Sequence, residues 1–242
     1  MEKRLKILVT NDDGISAEGI MRLARMAGKL GDVWVVAPSS QCSAMSQRLT
    51  IFNTIPVAEY DFPVPVKAAY SIGGTPADCV MLAMEALLPE KPDYVFSGIN
   101  FGYNAGFDIA YSGTLGAAKE AVMHGVPAIA FSMQHDGGYE VAEEYMLPLA
   151  QELIAAGQAP GEIWNINFPG CSLGELKGIK RERCIAQSLN YTNHYVKVEL
   201  DGGYGYEVHS ELVDRNNLRP DSDIRAVLDG YIAVGKVHSE VM

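Results

Sequence analysis

Basic residues are in short supply. Nineteen Lys and Arg stand against thirty Asp and Glu, a formal net charge of −11 at pH 7. Most of the surface therefore repels polyanions, and neither a nucleic-acid polymer nor an anionic membrane is an expected partner. A small anionic substrate remains admissible where a bound cation reverses the sign locally. Apolar runs are short too: nothing approaches the roughly 18 residues of a membrane span. Met1 to Leu5 lead into the first strand without the apolar stretch of a signal peptide, so a cytoplasmic location is expected. Cysteine is scarce, and Cys42, Cys79, Cys171 and Cys184 show no C-x-x-C spacing, which argues against a zinc knot or a disulfide framework. Cys79 and Cys171 read as reduced and structural. The histidines, His124, His135, His194, His209 and His238, form no ligand pair at short helical spacing and read as structural or solvated. Internal repeats, low-complexity tracts and long linkers are missing as well.

What is present is an alternation of buried strands and amphipathic helices, which predicts one α/β unit over 1–242: a Rossmann-like, mostly parallel sheet with helices on both faces. Strands are expected at 7–10, 32–37, 94–97, 128–133 and 163–168, and helices at 17–30, from Thr75 onward, at 112–124 and at 142–156. Segments 49–57 and 66–72 read as extended, in an excursion beside the sheet. The core spans approximately 1–170. In 171–242 the pattern loosens to an extended stretch at 179–186 and a projecting hairpin over 195–213, signalled by aromatic and β-branched alternation around Asp201-Gly202-Gly203. A C-terminal extension follows, with a helix at 224–228 capped by Ser222 or Asp223 and a last strand at 231–237.

The chemistry is concentrated after strands, where an open parallel sheet keeps its ligand crevice. Asn11-Asp12-Asp13-Gly14 follows the first strand directly, and Gly14 permits a turn that lets both acids face one crevice. Two adjacent carboxylates repel unless one is protonated or a cation lies between them, and hard oxygen donors suit Mg²⁺, Mn²⁺ or Ca²⁺. After the second strand, residues 38–46 supply hydroxyls and amides without charge. After the Tyr94 strand, the Gly- and Asn-rich stretch 97–106 leads to Ser112-Gly113-Thr114, whose helix N-terminus favours a phosphate. Each loop has a plainer explanation as a turn or a helix cap. Their shared position beyond three strands is what favours a joint cation and phosphate site.

These blocks resemble the SurE family of survival proteins, metal-dependent 5′/3′-nucleotidases. The resemblance is carried by residues 6–20, by 35–46, by Gly73-Gly74-Thr75-Pro76-Ala77-Asp78-Cys79-Val80, by Pro92-Asp93 through Ser97-Gly98-Ile99-Asn100, and by Tyr111-Ser112-Gly113-Thr114. It covers roughly the first 130 residues, and the second half resembles the family in general character only. It implies one divalent metal per subunit, Mg²⁺ or Mn²⁺, held by Asp12, Asp13, Ser43 and Asn100. Asp12, Asp13 and Asn100 would carry catalysis, and Asn11, Asn104, Ser112, Gly113 and Thr114 would hold the phosphate. Asp12 is expected to orient or deprotonate the attacking water, with Asp13 the alternative.

The resemblance further implies hydrolysis of nucleoside monophosphates, action on polyphosphate, and a homodimer or homotetramer with exchanged C-terminal elements. Tyr103, Phe101 and Phe107 are candidates to stack a base. Two departures stand out. Cys42 precedes the ligand serine where members place a long polar side chain, and Glu18 replaces an early-helix proline, where an acid suits a helix N-terminus. A non-hydrolytic nucleotide-binding sensor is the competing reading, and an aspartyl-phosphate route is conceivable, although the Asp-x-Asp spacing of haloacid-dehalogenase phosphatases is absent.

Overall fold

The computed structural model describes residues 4–212 and 218–239. The chain opens with β1 (Leu5–Thr10), whose unbroken apolar character reflects burial on both faces: Ile7 and Val9 enter one core layer and Leu8 the other. Then come α1 (Glu18–Ala27), β2 (Gly31–Pro38), β3 (Val57–Glu59), β4 (Ala68–Ile72), α2 (Pro76–Leu82, continued by a π-turn at Ala83–Leu87), β5 (Tyr94–Phe101) and α3 (Gly113–Met123). β6 (Ala128–Met133), α4 (Glu140–Ala156), β7 (Glu162–Phe168), β8 (Ile179–Arg183), β9 (Tyr191–Leu200), β10 (Gly203–Leu212), α5 (Asp223–Leu228) and β11 (Ile232–His238) complete it.

Nine strands form one sheet in the order β3-β4-β2-β1-β5-β6-β7-β11-β8. The central run from β4 to β7 is parallel, and β3 and β11 pair antiparallel with β4 and β7. Residues of α1 and α4 pack in one core layer and those of α2 and α3 in the other, so both faces are covered as expected. The winding runs outward from β1 through β2 to β4, then returns to the other side of β1 with β5. That reversal is a switch point, and Thr10 pairs with Ser97 across it. The loops after β1, β2 and β5 therefore leave three adjacent strands at one sheet edge. Among the described residues no helix is long and apolar enough to cross a membrane.

One expectation is corrected. The excursion beside the sheet is part of it: β4 pairs with β2 from Trp34↔Ala68 to Pro38↔Ile72, and β3 forms the edge. Residues 49–56, read as extended, join no strand, and a side chain anchors them at Thr50. The Asp78 carboxylate accepts from Thr50 N at 2.8 Å and Thr50 Oγ1 at 2.7 Å, while also completing the capping box of α2 with Thr75. Asp78→Ala leaves the Thr75 cap but removes the reciprocal half of the capping box and both Thr50 anchors, and about 2–4 kcal/mol of stability is the expected loss in a urea titration.

The hairpin β9–β10 pairs in register from Tyr191↔Leu212 to Leu200↔Gly203 and forms a sheet of its own, as its turn signal predicts. Val213, where the expected alternation ends, lies outside the described residues. Tyr191, Tyr195, Val196, Leu200, Tyr204, Tyr206 and Val208 are 41–63% exposed along it.

Candidate metal and phosphate site

The paired acids lie just beyond β1. Asp12 is buried to 3% exposure, and Asp13 is half-buried beside it. Thr114 Oγ1 donates to Asp12 Oδ1 at 2.6 Å, and the Thr114 N–H also bonds this carboxylate. The backbone of the second loop closes over the pair: Cys42 N donates to the Asp12 carbonyl at 2.7 Å, and the Gln41 side chain bonds Asp13. From the third loop, Phe101 N donates to Asp13 Oδ2 at 3.1 Å. The three post-strand loops thus meet on these two residues.

Burial is the main force on both groups. It pushes the Asp12 carboxyl up to about 6; Thr114 opposes the rise and the charge of Asp13 adds to it. Burial also raises Asp13, against the Phe101 N–H, the Gln41 side chain and His135. A raised carboxylate stabilises the fold while it holds its proton. That contribution is complete below the unfolded value of 3.8 and is lost as pH rises through about 6. In EDTA, the part of the stability that Asp12 contributes is expected to fall by on the order of 3 kcal/mol between pH 4 and pH 7. Asp12→Asn should flatten this dependence in denaturant titrations across that range.

The other candidates are disposed around the acids. Asn100 is the penultimate residue of β5, whose register with β6 shifts between Ser97 and Asn100, a bulge of the kind that re-aims a side chain. Its Nδ2 donates to the Gly102 carbonyl at 2.8 Å, which leaves Oδ1 as the atom to offer a cation. Ser43 is exposed and follows Cys42, whose backbone touches Asp12 on one side and approaches Gly113 on the other. Asn11 is fully buried; its Nδ2 donates to the Gly14 carbonyl at 2.9 Å, and its Oδ1 has no partner among the described residues. Ser112 caps α3 by accepting from Leu115 N at 3.0 Å. Gly113 packs against the Asp12 side chain so closely that a Cβ there would lie 2.8 Å from Asp12 Cβ. Gly113 opens the first turn of α3, where helix N–H groups favour an anion.

Asn104 is held from the strands beneath the third loop. At 5% exposure, its Nδ2 donates to Ser132 Oγ at 2.8 Å and its N–H to Asn167 Oδ1 at 2.9 Å. Asn165 and Asn167 donate back to its carbonyl at 2.8 and 3.1 Å. Its polar groups thus tie the third loop to β6 and β7. The sequence reading missed these partners, although two asparagines two residues apart inside the buried strand 163–168 are the polar anomaly that marks them. His135, read as structural or solvated, is exposed, and its ring lies 4.7 Å from that of Phe101. Of the stacking candidates, Phe101 and Phe107 are exposed, while Tyr103 donates to Gln134 Oε1 at 3.0 Å.

Among the described residues no three His, Cys, Asp or Glu side chains gather as metal ligands. The donor set is two carboxylates with hydroxyl and amide oxygens. That composition fits a hard divalent cation rather than zinc, and the unpartnered buried Asn11 oxygen beside it fits a site that receives a donor.

Residues 7–191 match the family model described as "Survival protein SurE". The chain is 38% identical over 237 residues to the 5′-nucleotidase SurE of Moorella thermoacetica, covering 97% of this chain and 90% of that protein. It is 36% identical over 241 residues to the 5′-nucleotidase SurE of Clostridium botulinum strain Kyoto, covering 98% and 94%. A crystal structure of the SurE protein from Aquifex aeolicus superposes with a TM-score of 0.81 at 33% identity, covering 98% of this chain and 94% of that one. The similarity thus runs well past the first 130 residues, through the second half that had resembled the family only in general character.

Proposed function

Because this chain belongs to the SurE family, we propose that it is a metal-dependent phosphomonoester hydrolase, a 5′-nucleotidase that releases phosphate from nucleoside monophosphates. The observation that carries this reading is the meeting of three post-strand loops on Asp12 and Asp13 at the switch point, beside the N-terminus of α3. Asp12, Asp13, Ser43 and Asn100 are the residues proposed to hold one divalent cation, Mg²⁺ or Mn²⁺. When bound, such a cation polarises a phosphoryl oxygen and acidifies water.

The chain's own groups do the rest. Asp12, clamped by Thr114 through Oδ1, presents a fixed carboxylate that can orient or deprotonate water. Gly113 N–H and the Ser112 hydroxyl, at the positive end of the α3 dipole, stabilise negative charge as it develops on the phosphoryl oxygens. Asn11 and Asn104 complete the proposed phosphate set, Asn104 by fixing the third loop. The exposed aromatic hairpin is proposed to dock on a second copy of the chain, since an isolated two-stranded ribbon is marginal in water. This makes the protein a homodimer or homotetramer that exchanges elements of 171–242.

Phosphate release from a panel of 5′- and 3′-nucleoside monophosphates and polyphosphate, with Mg²⁺, with Mn²⁺ and with EDTA, tests the reading. Metal-dependent release is the expected result, with relative rates setting the breadth. Tight nucleotide binding without release would identify a sensor instead.

A further inference from the structure

One cavity beside the site remains unexplained by phosphate chemistry. It encloses about 290 Å³ between the carboxyl ends of β5 and β6 and the root of the hairpin, and Tyr103, Gln134, His135, Asp136, Asn190 and Tyr191 line it. It is joined to the acids through one residue, Phe101, whose N–H holds Asp13 and whose ring meets His135 at 4.7 Å. We infer that this cavity is the nucleoside subsite, receiving the sugar and base of a substrate whose phosphate lies at Asp12 and Asp13. The inference rests on the nucleotidase reading above.

The walls have the chemistry such a ligand needs. Tyr191 and the His135–Phe101 pair offer ring faces of the kind on which bases stack. Gln134 is oriented without ambiguity: its Oε1 accepts from Tyr103 Oη at 3.0 Å and from Gly170 N at 3.2 Å, so the side it offers a ligand is the Nε2 donor. The turn carrying these groups is closed by Gly137 N donating to the Gln134 carbonyl at 3.1 Å. Asp136 adopts φ +64° there, a conformation that non-glycine residues seldom hold and that clusters at ligand clamps. On the opposite wall, Asp108 accepts from Asn190 N at 3.0 Å and from the Tyr191 N–H, fastening the hairpin root to the stretch that follows Asn104. Substrate loop and hairpin thus share a wall of the cavity.

Steady-state kinetics with nucleoside monophosphates and with p-nitrophenyl phosphate, which lacks a nucleoside, test this in Tyr191→Ala and Gln134→Glu. The second variant keeps the oxygen that accepts from Tyr103 and replaces the outward donor. The expected result is a KM for nucleotides raised about tenfold with kcat within about twofold, and kinetics on p-nitrophenyl phosphate unchanged. Unaltered nucleotide KM in both variants, or equal losses on both substrates, would overturn the subsite while leaving the nucleotidase reading intact. If the wild type releases phosphate from no nucleotide, that reading fails by itself. Saturation-transfer NMR with unphosphorylated adenosine and uridine then judges the cavity: signals lost in Tyr191→Ala support it, and signals absent from the wild type or retained in the variant overturn it.

Discussion

Asp13→Asn is expected to abolish phosphate release, lowering kcat at least about a thousandfold, while the protein stays folded. A cation's stabilisation of transition-state charge is worth several kcal/mol, and about 4 kcal/mol corresponds to three powers of ten in rate. Asp13 is one of two charges proposed to hold that cation, and an amide of the same shape supplies none. Stability should not suffer, because burial already penalises the ionised form and an amide oxygen can still accept from Phe101 N. The divalent cation supplies the second readout. At a hundredfold excess over its Kd it stabilises a folded protein by about 2.7 kcal/mol, and this increment should vanish in the variant. Wild-type turnover that remains sensitive to EDTA in Asp13→Asn would contradict the assignment.

Much of this site was legible before any coordinates. Acids at a strand end, a neutral hydroxyl loop after the next strand and a Gly-rich loop leading to a helix cap are local signals, and the parallel topology alone forces them to one edge. The anchor on residues 49–56 was not legible, because Asp78 captures Thr50 through hydrogen bonds spanning 28 positions, which no local propensity records. The partners that hold Asn104 were hidden for a similar reason: its Ser132, Asn165 and Asn167 contacts come from two later strands. The ring contact between His135 and Phe101 was likewise hidden, because strand pairing supplies it by setting Phe101 opposite Met133. Composition and periodicity report burial and element type well; the partner chosen by a polar side chain is a tertiary fact.

Gly113→Ala shows how far the site depends on such facts. From propensity alone the change is favourable, since Ala exceeds Gly in a helix by up to about 1 kcal/mol, and Gly113 is the first residue of α3 with no left-handed φ to preserve. Space decides otherwise. An added Cβ would meet Asp12 Cβ at 2.8 Å, Asp12 Oδ2 at 2.9 Å and the Cys42 carbonyl oxygen at 3.2 Å. The Asp12 carboxylate is held by Thr114 and its backbone by Cys42 N, so neither Asp12 nor the Cys42 backbone can yield cheaply. Overpacking of this kind costs about 1–3 kcal/mol, which outweighs the gain in propensity. The larger consequence is functional, because displacing a reacting group by about 1 Å can cost a hundredfold. The expected outcome is a modest fall in unfolding midpoint with kcat reduced about a hundredfold or more. Gly174→Ala, where nothing lies within 4 Å of the new methyl, is the control and should be silent. Full activity in Gly113→Ala would mean that Asp12 tolerates displacement, and the rigid carboxylate proposed for the site would have to be abandoned.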